Sequence, residues 1–296
     1  MLSKIAFFET DDRPDIAAER ARLLPALREH LQSFGRDVTV TPAPGGTLGA
    51  CYDADVSGEK RFLKTHLPDA RARDSLAKEA DILQRLHGNT IVLDRFEIPL
   101  ADGTMRLCLM MPALAPLAAP MQPADAAAMA CAYSERLKDW QRDRLASLEH
   151  HLASAGQALK TLSERCLLKQ PGAAETRRLI ALLADRLPKL PVALCHGDFG
   201  PKNIMLQGVT PLAIDWEDAF RGIAGYDYLY WLTFLENRSF LKTAAFGLTG
   251  LSPDVERAIL VLVVLLKSYL AVLSGTYLTH AVSAQARISE ILDLPR

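Results

Sequence analysis

The chain has 296 residues, 49% hydrophobic and 23% charged, an ordinary globular composition long enough for one large domain or two lobes. A formal net charge of −1 gives no electrostatic basis for a nucleic-acid or membrane-surface partner. The five cysteines, Cys51, Cys108, Cys131, Cys166 and Cys195, are scattered without metal-ligand spacing and read as reduced thiols of a cytoplasmic protein.

The first ten residues lack the apolar core of a signal peptide, and acidic residues follow at once. Residues 15 to about 34 carry Leu23, Leu24, Leu27 and Leu31 on one helical stripe, closed by Gly35. Val38-Thr39-Val40 is a strand. A glycine-rich turn with Gly45, Gly46 and Gly49 leads to strands over 51–56 and 60–65, joined at Ser57-Gly58. Glycines let a backbone approach phosphate oxygens, but an ordinary hairpin turn has the same composition. Lys64 alternates with Phe62 and His66 on one strand face, and an isolated strand lysine is usually a solvated charge.

The spacing of Leu76, Ile82, Leu83 and Leu86 predicts a helix over residues 69–87, stopped by Gly88-Asn89. Glu79 falls on that apolar stripe, where a carboxylate is costly unless paired, and Lys64 is the expected partner. Asp74 and Asp81 lie off the stripe. Leu107-Cys108-Leu109-Met110-Met111-Pro112-Ala113 reads as an edge strand entering a connector rich in Ala and Pro. Two or three helices follow over 123–187. Further on, Ser252-Pro253 with Asp254 and Glu256 opens a core helix. Its most apolar run, 258–266, is far shorter than the roughly 20 residues of a membrane span.

The densest chemistry lies between these helical regions, in His196-Gly197-Asp198-Phe199-Gly200-Pro201-Lys202-Asn203 and Ile214-Asp215-Trp216-Glu217. Strand-like runs at 192–195, 204–206 and 212–214 flank them, and the turn-rich stretch 207–211 makes the last two a hairpin. Asn203 then precedes one hairpin strand and Asp215 follows the other, which places them about 5 Å apart across neighbouring strands. Two hard oxygen ligands at that spacing suit a Mg²⁺ that also binds substrate phosphates.

These residues resemble the motifs of kinase-like phosphotransferases, specifically the aminoglycoside phosphotransferase and choline kinase branch. The points of likeness are His-Gly-Asp, an Asn five residues after the Asp, and Ile-Asp-Trp-Glu about a dozen residues further on. The resemblance implies an α+β, bilobal protein-kinase-like fold. Its small β-rich N-lobe would cover residues 1–112 and its larger, mostly helical C-lobe residues 113–296. The implied reaction is ATP- or GTP-dependent transfer of the γ-phosphate, with Mg²⁺, to a hydroxyl of a small molecule such as an aminoglycoside or amino alcohol. On that reading Lys64 contacts the α and β phosphates and pairs with Glu79, Gly45 and Gly46 cover the nucleotide, and backbone near Met111 receives the adenine. Asp198 is the catalytic base or hydroxyl-orienting group, and Asn203 and Asp215 are the Mg²⁺ ligands.

His196 is expected to be structural and Trp216 to belong to the core, while Glu217 suits either a salt bridge or the metal and substrate. Asp227 would brace the catalytic loop and open a long helix, although Ile223-Ala224-Gly225 departs from the family's Gly-Asp-Pro. Gly197 stands where many protein kinases have an Arg that reads a phosphorylated activation loop, and Trp216-Glu217 replaces Phe-Gly. Too few residues follow Asp215 for a long activation segment, so phosphorylation control is not expected. Residues 122–190 contain 8 Asp and Glu against 11 Lys and Arg, a poor match to an acidic pocket for a polycation. Tyr226, Tyr228, Tyr230 and Trp231 suit either an aromatic cage or a core helix face, and the acceptor's identity is not legible. Two further readings stay open: a nucleotide-binding pseudokinase or scaffold without turnover, and a kinase with a protein acceptor.

Overall fold

A computed structural model describes residues 1–10, 15–34, 37–44, 48–143, 145–279 and 281–295. Gly35, Gly45 and Gly46 lie outside the described residues. In chain order the structure begins with α1 (Leu2–Phe8), α2 (Ile16–Gln32), β1 (Val38–Ala43), β2 (Gly49–Val56), β3 (Glu59–His66) and α3 (Ala70–His87). There follow β4 (Asp94–Pro99), β5 (Met105–Pro112), β6 (Ala115–Pro116), α4 (Pro123–Arg136), α5 (Leu148–Glu164) and α6 (Gly172–Arg186). The remainder comprises β7 (Val192–Cys195), β8 (Ile204–Gln207), β9 (Thr210–Ala213), β10 (Phe220–Ile223), α7 (Tyr226–Leu232), α8 (Arg238–Ala244), α9 (Pro253–Leu273) and α10 (Ala284–Leu292).

These elements form two compact units that are not continuous in sequence. The sheet unit contains Thr10–Ala115 and Met205–Glu217; the helical unit contains Met1–Glu9, Pro116–Ile204 and Asp218–Arg296. A linear division at residue 112 therefore misses two excursions, the amino-terminal helix and the β8–β9 hairpin.

In the sheet unit the strand order is β1-β2-β3-β5-β4, and every neighbouring pair is antiparallel. β5 is thus an interior strand, not the edge its sequence suggests, and β4 takes the edge. The reason is burial: Leu107 to Met111 are buried on both faces, and β5 pairs with β3 on one side and β4 on the other. Strand alternation divides the sheet chemically. Tyr52, Leu63, Cys108 and Met110 face a core with Leu23, Leu27 and Leu31 of α2. Lys64 points the other way, and α3 packs on β3 and β5. Both helices start at an aspartate whose side chain accepts from first-turn N–H groups, Asp15 for α2 and Asp69 for α3.

In the helical unit α9 is the central element and packs against α1, α5, α6, α7 and α10. Its residues from Val255 to Leu266 are all buried, so the apolar run is explained by contacts on every side. Glu256 is also fully buried; it accepts from the Gly247 N–H at 3.2 Å and the Thr249 hydroxyl at 2.6 Å, and so meets the demand for a partner. β7 and β10 form a short antiparallel ladder that launches the loop at His196. Among the described residues no helix is long and apolar enough to cross a membrane.

Candidate active site

In the sheet unit the predicted Lys64–Glu79 pair is present. Lys64 Nζ lies 2.7 Å from Glu79 Oε2, 2.6 Å from Asp215 Oδ1 and 3.2 Å from Glu217 Oε1. Glu79 is fully buried, and its second oxygen accepts from the Asp215 backbone N–H at 2.9 Å. Helix periodicity puts Glu79 inward and strand alternation puts Lys64 opposite it, so local geometry alone aligns the two. The β8–β9 hairpin forms as expected, and Gln207 Nε2 donates to the Thr90 carbonyl at 2.8 Å. Asp215 follows with φ of 66°, a left-handed conformation that Asp adopts more readily than most residues. Trp216 is fully buried and donates from Nε1 to the Ala213 carbonyl at 3.0 Å, a core residue as predicted.

Three carboxylates thus face one ammonium. Burial alone would lower the Lys64 pKa, but Asp215, Glu217 and Glu79 outweigh it and hold the ammonium well above its ordinary value. Burial pushes the Glu79 carboxyl up, against the opposing pull of Lys64. Ligand oxygens of Glu79, Asp215 and Glu217 all lie within 4.8 Å of one another. With both groups ionised in each pair, the cluster carries two more negative than positive charges, and its donors are hard oxygens of the kind a divalent cation takes. Glu217, weighed equally for a salt bridge or the metal, makes the salt bridge and belongs to this oxygen cluster. Met111 sits on the same sheet face as Lys64, two residues along, through the pairings Phe62 to Met111 and Lys64 to Leu109.

In the helical unit the loop after β7 is held from within. Asp227 accepts from the backbone N–H groups of His196 and Gly197, at 2.7 and 3.1 Å. It braces the loop as expected but opens the seven-residue α7, not a long helix. His196 is fully buried, and its Nδ1 accepts from the Asp198 N–H at 3.3 Å, a structural role. Gly197 has φ of 79°, and a Cβ there would lie 2.2 Å from the Asp218 carbonyl oxygen, so only glycine fits. Asn203 Nδ2 donates to the Asp198 carbonyl at 2.8 Å, closing the loop through its amide nitrogen and not its side-chain oxygen.

The Asp198 carboxylate accepts from Tyr230 Oη at 2.7 Å on Oδ1 and from Lys4 Nζ at 2.5 Å on Oδ2. Burial would raise its pKa, but Lys4, the Met1 amino group and Tyr230 together hold it well below the usual carboxylate range. Such a weak base suits orienting a hydroxyl better than removing its proton. Lys4 also stands 3.7 Å from Asp218 Oδ2, which pairs with the Met1 amino group. Behind Tyr230, Lys267 Nζ lies 3.8 Å from the Tyr230 ring centre and 3.3 Å from that of Phe234, and donates to Thr233 Oγ1 at 2.8 Å. Burial drives this ammonium well below the ordinary lysine value.

Of the aromatic residues weighed for a cage, Tyr226, Tyr228 and Trp231 are core, and only Tyr230 reaches Asp198. Lys4, Asp218 and Lys267 were not legible as site residues. Lys4 reaches Asp198 from a short helix with no local motif, Asp218 lies just past the Ile-Asp-Trp-Glu motif without a pattern that marks it, and Lys267 lies behind Tyr230 on the distant α9.

A sequence model described as the phosphotransferase enzyme family matches residues 39–255. No curated protein matches the sequence. Among solved structures, an aminoglycoside phosphotransferase superposes with a TM-score of 0.58 at 14% identity, covering 90% of this chain and 98% of its own. A microcompartment-associated aminopropanol kinase gives 0.54 at 17% identity, with 90% and 94% coverage. A choline kinase from Cryptosporidium parvum Iowa II gives 0.55 at 11% identity, with 94% and 93% coverage. The fold is therefore the α+β protein-kinase-like fold that these enzymes share. A thermostable mutant of the first was solved as a ternary complex with ADP and hygromycin B.

Proposed function

The chain belongs to the phosphotransferase enzyme family, and from that premise we propose that it transfers the γ-phosphate of ATP to a hydroxyl of a small molecule. The observation that carries the reading is Lys64, a strand lysine whose ammonium is bonded to both a helix glutamate and Asp215. Phosphoryl transfer asks a protein for positioned charge more than for covalent chemistry. Lys64, fixed by Glu79, meets the nucleotide phosphates, with backbone near Met111 holding the remainder of ATP or GTP. Asp215 and Asn203 hold Mg²⁺, and Glu217 adds a further oxygen. The surplus negative charge around Lys64 supports that assignment. When bound, the ion neutralises charge on the phosphates.

Asp198 receives the acceptor hydroxyl and orients it toward the phosphate, while Tyr230 fixes one of its oxygens and Asp227 fixes the loop. The similar structures named for aminoglycoside, aminopropanol and choline substrates support a small hydroxyl compound as acceptor. Five free thiols, three of them buried, and a need for ATP accord with a cytoplasmic enzyme. The test is Asp198→Asn: Mg-ATP should still raise the melting temperature, while ATP consumption across amino alcohols, aminoglycosides, macrolides and sugars falls by roughly 10²-fold or more. Undiminished consumption in that variant would remove Asp198 from the reaction. No consumption by the wild type with any acceptor would favour the scaffold reading.

A further inference from the structure

Asp198 is approached by the chain's own cation. α1 packs on α9 with Ile5 buried, and Tyr269 of α9 donates to Glu9, just past the helix end, at 2.9 Å. From this seated helix Lys4 extends its ammonium to 2.5 Å from Asp198 Oδ2 and 3.7 Å from Asp218 Oδ2. The other Asp198 oxygen is taken by Tyr230. Asp218 Oδ2 already pairs with the Met1 amino group, so Asp198 is the carboxylate a site could use to hold an ammonium-bearing ligand, and a lysine already stands on it.

We propose that Lys4 is a specificity-determining residue: it fills, on Asp198, the seat an acceptor's ammonium would take, and so selects neutral or anionic hydroxyl compounds over polycations. The proposal rests on the reading that Asp198 faces the acceptor. A cationic acceptor must either displace Lys4 or accept a like charge beside it in a partly buried site, and that repulsion is the discriminating element. The excess of basic over acidic residues between 122 and 190 acts in the same direction. The seat is also small: Lys4 and Asp198 side chains are only 19% and 17% exposed, which leaves little solvent to screen the repulsion.

The experiment measures binding of kanamycin, a polycation, by calorimetry in the presence of Mg-ADP, for the wild type and for Lys4→Arg, Lys4→Met and Lys4→Glu. ATP consumption by the wild type is measured alongside, with kanamycin and with neutral sugars. Kanamycin should bind about tenfold tighter to Lys4→Met than to the wild type, and tighter still to Lys4→Glu. Lys4→Arg, which keeps the charge and the fold, should bind it as weakly as the wild type. Equal affinity in all four proteins would overturn the proposal, as would wild-type turnover of kanamycin faster than of every neutral sugar. A wild type that consumes ATP with nothing and gains no stability from Mg-ATP would overturn the phosphotransfer reading instead, and the affinity series would still decide the role of Lys4.

Discussion

Lys64→Met keeps an apolar stem on β3 and removes the ammonium that Glu79, Asp215 and Glu217 share. Removing one partner of a buried ion pair costs about 3–5 kcal/mol, because the remaining charge is left uncompensated. Here the remaining carboxylates also repel: at 4.8 Å, the limit of their separation, two unit charges in an effective dielectric of 20 interact by roughly 3.5 kcal/mol. Protonating one carboxyl relieves that repulsion, and Glu79, already pushed up by burial, is the group to take the proton. An acid whose folded pKa lies above its unfolded value contributes stability below the unfolded pKa and loses it as pH rises through the folded one. The variant should therefore be closest to the wild type near pH 5 and weakest near pH 8. Urea unfolding at both pH values measures this, with fluorescence as the probe. Trp216, fully buried, is the sheet unit's one tryptophan; Trp140 and Trp231 belong to the helical unit. Adding Glu79→Gln to Lys64→Met should recover part of the loss at pH 8. A loss below about 1 kcal/mol, the scale of an exposed pair, or one independent of pH, would refute the shared-ammonium account.

Asp227→Ala strands two loop N–H donors, at about 1–3 kcal/mol each for a buried unsatisfied group. It should lower both the melting temperature and kcat; Asn, with one acceptor oxygen for two donors, should recover part of the loss and Leu none, which would confirm the accepting role. Gly197→Ala combines a left-handed backbone with a Cβ 2.2 Å from the Asp218 carbonyl. Beyond the roughly 1–3 kcal/mol of backbone strain, the loop must move, so turnover should fall while Mg-ATP still stabilises the protein. Lys267→Met replaces a buried lysine whose ammonium is disfavoured by burial, and the melting temperature should hold or rise. A fall of several degrees would show that Lys267 is charged and paired.

Legibility in the sequence followed the reach of local periodicity. Glu79 could be placed on the inward face of α3 because four leucine and isoleucine neighbours fix a 3.6-residue stripe, and Lys64 because strand side chains alternate. Their meeting required only that one helix cover one sheet face. The hairpin before Asp215 was equally plain from turn residues between apolar runs. The interior position of β5 was not, since a continuous apolar run does not reveal how many neighbours a strand has. Lys4 and Asp198 are 194 positions apart, and no repeat or motif links them. Tyr230 looked like any aromatic on a core helix until its hydroxyl was seen on Asp198. Long-range polar contacts of this kind depend on the complete packing around α9, which no short window of sequence contains.

The discontinuity of the two units also sets an order of events during synthesis. The five-stranded sheet is fully translated by Pro112, yet the hairpin that leads to Asp215 and Glu217 begins at Ile204. At about 5–20 residues per second, the intervening stretch delays it by roughly 5–20 s. Over that interval the nascent sheet holds Lys64 and Glu79 as a balanced pair, and the excess of acidic oxygens arrives only with the last segment. α1 waits longer still, because α9, the surface it docks on, is made after the hairpin. The sheet unit can thus start folding early and neutral, while the seating of Lys4 waits for α9.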